Sequence, residues 1–229
     1  MFKNFTIIKK TNTIITCGLE AEWSFENHFQ KYNKNCKILA FDHTVDKKFW
    51  LKRFLRNFIS IIFFKKPSQI IDLFKFIEYL VFFRGKNKHF LKKIVSKKTN
   101  NNNQITITDA ISNNTKIVLK IDIEGDEYKI LNEVNKNFDK LNLVIIEFHN
   151  LQKNLKKIKN FISQTKLKNI HINANNFGMV DEFGIPQVIE MTLINPKKFK
   201  IKNKKARRKY PIKGLDFKNR KRGKEIQIT

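Results

Sequence analysis

The chain has little sulfur, little glycine and little acid. Of its 229 residues two are cysteine (Cys17 and Cys36), seven are glycine, four are proline and twenty are Asp or Glu. Two cysteines exclude a disulfide scaffold and any zinc framework built on thiolates, and they suit a reducing compartment. No uninterrupted apolar run reaches the ~18 residues needed to cross a bilayer. The first ten residues carry a short apolar stretch without the small-residue cleavage pattern of a secretory signal. The expected location is therefore cytoplasmic. No internal repeat is present, and residues 100–103, all Asn, read as a loop. The length suits one domain with an elaborate insertion, long enough to bury a sizeable core.

What is abundant is base. There are 47 Lys and Arg, giving a net charge of +27. Only seven are Arg, and the excess of Lys, Asn, Ile and Phe matches A/T-rich codons, so the total alone says little. Its distribution says more. Residues 1–46 carry 6 basic and 5 acidic side chains, 47–98 carry 15 and 2, 99–196 carry 11 and 11, and 197–229 carry 15 and 2. Two segments of +13 each thus decorate a nearly neutral remainder. The expected organisation is a domain over 1–196, interrupted by a basic helical insertion at 47–98, and a basic extension over 197–229 that packs on the domain or trails from it.

The neutral part alternates short apolar runs with helical patterns. Runs at 13–16, 37–41, 116–123, 143–148, 169–173 and 188–194 read as strands, the early ones β-branched and unbroken as in parallel strands covered on both faces. Helices are expected over 22–31, 126–135 and 154–165, with Tyr128, Leu131 and Val134 as core positions. This rhythm predicts an α/β fold with a mostly parallel, doubly wound sheet. In such sheets ligands sit beyond the carboxyl ends of the strands. Those ends carry Asp42, Asp122, Glu124, Glu147 and His149.

After the first run comes Thr16-Cys17-Gly18-Leu19-Glu20-Ala21-Glu22-Trp23. Gly18 lets a backbone approach a ligand closely, but the three-glycine dinucleotide fingerprint is missing. Glu20 and Glu22 would repel a pyrophosphate and welcome a cation. Asp42, 24 residues after Gly18 and at the end of the next run, suits ribose hydroxyls. An adenosine-bearing cofactor with a positive centre and no phosphate, S-adenosylmethionine, satisfies these constraints, with Gly18, Glu20, Trp23 and Asp42 as its candidate binding residues. An ordinary turn at Gly18 and a helix cap at Asp42 would explain the same residues.

The segment Ile117-Val118-Leu119-Lys120-Ile121-Asp122-Ile123-Glu124-Gly125-Asp126-Glu127 resembles the KIDVEG-x-E signature of the FkbM-type S-adenosylmethionine-dependent methyltransferases. Thr108-Asp109-Ala110-Ile111 upstream, and Glu147-Phe148-His149, His171-Ile172-Asn173-Ala174-Asn175-Asn176-Phe177-Gly178 and Pro186-Gln187-Val188-Ile189-Glu190-Met191-Thr192 downstream, are similar to further family features. The likeness spans about residues 12–196 with gaps. It implies a Rossmann-like class I methyltransferase fold and methyl transfer from S-adenosylmethionine, to the oxygen of a sugar or another small hydroxylated metabolite. Asp122 and Glu124, two apart on one strand, point to one side if the strand stays regular, where each raises the other's proton affinity. With His149 they are the candidate catalytic groups. Glu147, His171 and Asn175 are candidate acceptor-binding residues, and Gly125 lets the following helix approach. A divalent cation held by these carboxylates is a further use of the geometry, though not the expected one.

Two rival functions follow from the same residues. The charge suggests a nucleic-acid methyltransferase, although no specific nucleic-acid module is present. The glycine-poor first turn suggests a methyltransferase-like binding protein without turnover. In the insertion, Leu51, Phe54, Leu55, Phe58, Ile61 and Ile62, then Ile70, Ile71, Phe74, Ile77 and Val81 beyond Pro67-Ser68, form two amphipathic helices. These read either as a cover on the sheet or as an attachment to an anionic membrane surface. The run from Lys204 to Lys209 suits an acidic polymer.

Overall fold

The computed structural model describes residues 5–64, 69–176, 178, 180–201, 210–212, 216 and 226–227. Pro67-Ser68, Phe177 and the Lys204–Lys209 run lie outside these. Among the described residues, seven helices and nine strands follow one another: α1 (Phe5–Lys9), β1 (Thr13–Cys17), α2 (Ser24–Tyr32), β2 (Lys37–Phe41), α3 (Lys47–Phe64), α4 (Gln69–Phe82), β3 (Lys88–Phe90), β4 (Lys93–Ile94), β5 (Gln104–Ile105), α5 (Ile107–Ile111), β6 (Ile117–Ile121), α6 (Leu131–Lys136), β7 (Leu141–Phe148), α7 (Leu151–Gln164), β8 (Lys168–Ala174) and β9 (Ile189–Ile194). Short 3-10 turns at Glu127–Lys129 and Phe138–Lys140 flank α6.

The main sheet has the order β3-β2-β1-β6-β7-β9-β8. It is parallel from β3 to β7, and β9 runs antiparallel to both β7 and β8. This is the Rossmann-like class I methyltransferase arrangement that the resemblance implied. The unbroken β-branched runs become β1, β6 and β7, buried along both faces, as strands between two helical layers must be. One layer packs Leu119, Ile121, Val144, Ile146 and Phe148 against residues of α5, α6 and α7. The other packs Ile14, Ile38, Val118 and Leu143 against α1 and α2. Sheet order reverses beside β1, so β1 and β6 part at their carboxyl ends and leave a crevice there.

The structure modifies three local expectations. The helix expected over 126–135 is a 3-10 turn followed, after Ile130, by the six-residue α6; Asp126 and Gly125 belong to the preceding turn. The strand expected to run to 123 stops at Ile121. Finally, the insertion does not lie apolar side down on the sheet. Helices α3 and α4 pack on each other and meet the rest of the protein through Trp50, Tyr79, Phe82 and Phe83, which join Leu19, Trp23, Ala40 and Val45. Leu51, Phe54, Leu55, Phe58, Ile62, Phe74, Ile77 and Val81 remain exposed.

Candidate active site

At the carboxyl end of β1 the chain makes a tight turn that Gly18 alone permits. Its φ is +84°, and a Cβ there would stand 1.6 Å from the Asp122 carbonyl oxygen. The glycine is thus required by the neighbouring strand end. Glu20 and Ala21 follow with φ of +48° and +56°, conformations that cost non-glycine residues energy and persist only where surroundings hold them. Asp42 does the holding. One carboxylate oxygen accepts the N–H groups of Leu19 (2.7 Å) and Glu20 (3.0 Å); the other accepts the N–H (2.7 Å) and hydroxyl (2.6 Å) of Thr44. Burial opposes its ionisation, but the bonds from Thr44, Glu20 and Leu19 outweigh that and hold the carboxyl below the usual range. A carboxylate has about four acceptor positions, and all are filled from within the protein. Asp42 therefore shapes the turn in addition to lining the cleft.

The cleft has a volume of about 280 Å³ and lies between this turn and the end of β6. Gly18, Glu20, Asp42, Asp122, Glu124 and Asp126 line it, with Lys92 and Lys93 at its side. Five carboxylates against two lysines make it a place for a cation. A hydrogen bond with Glu124, reinforced by burial and by the charges of Glu124 and Asp42, pushes Glu20 up to about 7. Trp23 does not reach the cleft: it is buried against Tyr79, Phe82 and Phe83, because the positive-φ residues before it swing the chain toward α4.

Asp122 and Glu124 do come together, by a route other than strand alternation. Beyond Ile121 the chain turns, with Glu124 at φ +53° and Gly125 at φ +101°. This brings both carboxylates to His149, which follows the end of β7. His149 Nε2 lies 3.6 Å from Glu124, 3.9 Å from Asp122 and 3.9 Å from Glu147. On the ring's other side, fully buried Glu127 lies 3.4 Å from Nδ1, closer to an ion pair than to an aligned hydrogen bond. Glu127 also accepts the N–H groups of His149 (2.7 Å) and Gly125 (2.8 Å), so one acid ties the two strand ends together. Tyr128 donates its hydroxyl to the His149 carbonyl at 2.5 Å.

Burial disfavours an imidazolium, but Glu127, Glu124 and Asp122 outweigh it and push His149 up to about 9. The surrounding carboxylates therefore favour the protonated ring at neutral pH. Burial raises Asp122, as does the charge of Glu20, against the lowering effect of Lys120. Burial likewise raises Glu147, aided by Asp122. The candidate ligand atoms of Asp122, Glu124 and His149 all lie within 4.8 Å of one another, a spacing that one divalent cation can bridge. Such an ion would first have to displace the imidazole proton.

On the α1–α2 side, the carboxyl half of the sheet turns from apolar to polar. Lys120 on β6, Glu147 on β7, Glu190 and Thr192 on β9, and His171 and Asn173 on β8 share this face at neighbouring register positions. All are half-buried. Glu147 and Glu190 stand directly opposite each other, and burial raises Glu190, with the Glu147 charge adding to it. Asn175 donates to Glu147 at 2.6 Å. His171 belongs to this face rather than to the cleft; its Nε2 is 2.6 Å from Asp216 of the C-terminal extension, and Tyr210 packs edge-on against its ring. Glu127, Lys120, Glu190 and Thr192 were not among the residues expected from the sequence. For Glu190 and Thr192 the available signal was two polar side chains at alternate positions of an otherwise apolar strand.

Comparison with known proteins bears on this part of the chain. Residues 70–178 match the methyltransferase FkbM domain. The matched span contains β6, the Glu124-Gly125 turn, Glu127, Glu147, His149 and His171, so the resemblance read in the central motif holds; the Gly18 turn and Asp42 precede it. No curated protein matches the sequence. Similar solved structures include the fibrillarin of Aeropyrum pernix with natively bound S-adenosyl-L-methionine (10% identity, 82% of this chain and 68% of that one, TM-score 0.43). Another is the precorrin-6y C5,15-methyltransferase of Geobacter metallireducens (10% identity, 83% and 86%, TM-score 0.41).

Proposed function

We propose that the protein is an S-adenosylmethionine-dependent methyltransferase acting on the hydroxyl of a sugar or another small polyhydroxylated metabolite. The observation that carries this reading is the convergence of Asp122, Glu124, Glu147 and His149 where an acidic cleft meets a polar sheet face. The cleft suits a ligand bearing a sulfonium and an ammonium, since its donor set is anionic around the Gly18 turn. When bound, S-adenosylmethionine supplies a methyl group made electrophilic by its sulfonium. Glu20, Glu124 and Asp126 stabilise the positive charges. Glu147, braced by Asn175, and Glu190 accept hydrogen bonds from acceptor hydroxyls and orient one of them toward the cleft. Asp122, its proton affinity raised by burial, would take the proton of that hydroxyl as the O–C bond forms and the methyl–sulfur bond breaks, releasing S-adenosylhomocysteine. Such a base contributes roughly 10²–10⁴-fold, and alignment of the two reactants more. His149, as an imidazolium, keeps the clustered carboxylates compatible with one another.

A second reading is favoured by one observation. Because all four acceptor positions of Asp42 are filled, the ribose would need other partners, as in a methyltransferase-like protein that binds weakly and does not turn over. Calorimetry with S-adenosylmethionine and S-adenosylhomocysteine, followed by labelled-methyl transfer to extracted saccharides and to RNA, separates the readings. Heat with both ligands and label in saccharide are expected, with Asp122→Ala inactive yet folded and still binding, and Glu124→Ala folded but weaker in both binding and turnover. Absence of heat would leave the silent reading standing, and label in RNA alone would replace the saccharide acceptor.

A further inference from the structure

Helices α3 and α4 present what soluble surfaces rarely do, large apolar side chains in contiguous stripes. On α3, Leu51, Phe54, Leu55, Phe58 and Ile62 recur at helical spacing and are 48–60% exposed. On α4, Phe74, Ile77 and Val81 are 55–69% exposed, on the side away from Tyr79, Phe82 and Phe83, which hold the helix to the domain. A groove of about 460 Å³ joins the two helices, lined by Trp50, Leu51, Phe54, Phe76 and Ile77 with Lys47 and Arg53. Cations flank the stripes: Lys48, Lys52 and Arg56 are exposed on α3, and residues 47–98 carry 15 basic side chains against Asp72 and Glu78 alone. No helix among the described residues is long and apolar enough to cross a membrane.

We propose that the α3–α4 hairpin lies in the interface of an anionic lipid bilayer, its apolar stripes among the acyl chains and its lysines and arginines at the headgroups. Charge decides between the possible occupants. A second copy would bring one +13 segment against another, and nucleic acid would satisfy the cations while leaving Leu51, Phe58 and Ile62 in water. An anionic lipid surface satisfies both sets, which is the pattern of interfacial helices.

The test is vesicle flotation of the full chain, with phosphatidylglycerol–phosphatidylcholine vesicles against phosphatidylcholine alone. The protein should float with the mixed vesicles only. Leu51→Ser/Phe54→Ser/Phe58→Ser should weaken this at least tenfold, and so should Lys52→Glu/Arg56→Glu, although both variants keep the basic extension 197–229 intact. The charge variant alters exposed positions only, so it carries the test if the triple variant fails to fold. Unchanged flotation of both variants, or equal flotation with phosphatidylcholine alone, overturns the proposal. So does a vesicle-free dimer that the triple variant abolishes while the parent shows no flotation.

Discussion

Phe148 at the end of β7 has no exposed surface and packs against the rings of Tyr128 and Phe161, whereas Phe58 on α3 is 48% exposed and stacks on the ring of Phe54. The two belong to regions that differ in charge: residues 47–98 carry 15 basic and 2 acidic side chains, the rest of 1–196 carries 17 and 16. The α/β core balances its charges and hides its apolar side chains, while the hairpin concentrates base and displays them. An amphipathic stripe in the sequence therefore says that a face seeks an apolar partner, and only the packing says whether the protein itself supplies one. In the core, sheet and helices meet; in the hairpin, the apolar contact centres on the aromatic patch around Trp23 and Trp50, from which Phe82 and Phe83 also reach the α1–α2 side of the sheet.

The largest effect that can break this contrast is at Gly18. Gly18→Ala places a methyl group on the Asp122 carbonyl and forces φ +84° on an L-residue, so a loss above ~4 kcal/mol is expected, in the class of strained or overpacked sites. Chemical denaturation should find it barely folded, and a near-native midpoint would mean the β1–β6 crevice is wider than described. Next comes the pair of phenylalanines. Phe148→Ala should cost about 3–5 kcal/mol through the cavity it leaves, and Phe58→Ala within about 0.5 kcal/mol of nothing. Equal costs would show that the hairpin stripe is covered by the protein's own chain.

A smaller effect distinguishes the charged centre from the hairpin lysines. His149 is raised to about 9 in the folded protein, against about 6.5 for an unperturbed imidazole. A raised value means stabilisation that is complete below the unfolded value and lost as pH climbs through the folded one. Stability should therefore fall between about pH 6.5 and 9, by about 1–2 kcal/mol once solvent screening is allowed for. In His149→Gln this slope should vanish. Thermal melts across that window check it, and a slope that persists in the variant would assign it to another group.

Much of the sheet could be read from the chain because β1, β2, β6 and β7 are short, mostly apolar runs that are largely buried. Strands β3, β4 and β5 have two or three residues each, too few for a period to register. At the site, Asp122 and Glu124 were identifiable as a pair, but their meeting depends on the positive φ of Glu124 and Gly125, which two-residue alternation does not describe. Trp23 was misplaced for a related reason, since a reversal at Glu20 and Ala21 has no signature when neither is glycine. The role of Glu127 and the charged state of His149 arise from groups brought together across 22 residues, and only the fold makes them neighbours.

The smallest expected effect lies at the seam between the two regions. Lys75 of α4 reaches back to the first turn, where Nζ is 2.8 Å from Glu22 and 5.5 Å from the Trp23 ring centroid. The lysine also lowers the Glu22 carboxyl against the opposing effect of burial. Because Glu22 is more than half exposed, water and salt screen the pair, and Lys75→Ala should cost no more than about 0.5–1 kcal/mol. About half of that should disappear in high salt, where the ion pair fades and the ring contact persists. Denaturant melts of parent and variant at low and high salt measure both numbers. A loss of several kcal/mol would mean that the hairpin's seat on the core depends on this lysine rather than on the buried aromatic patch, and that the boundary between the two regions is ionic.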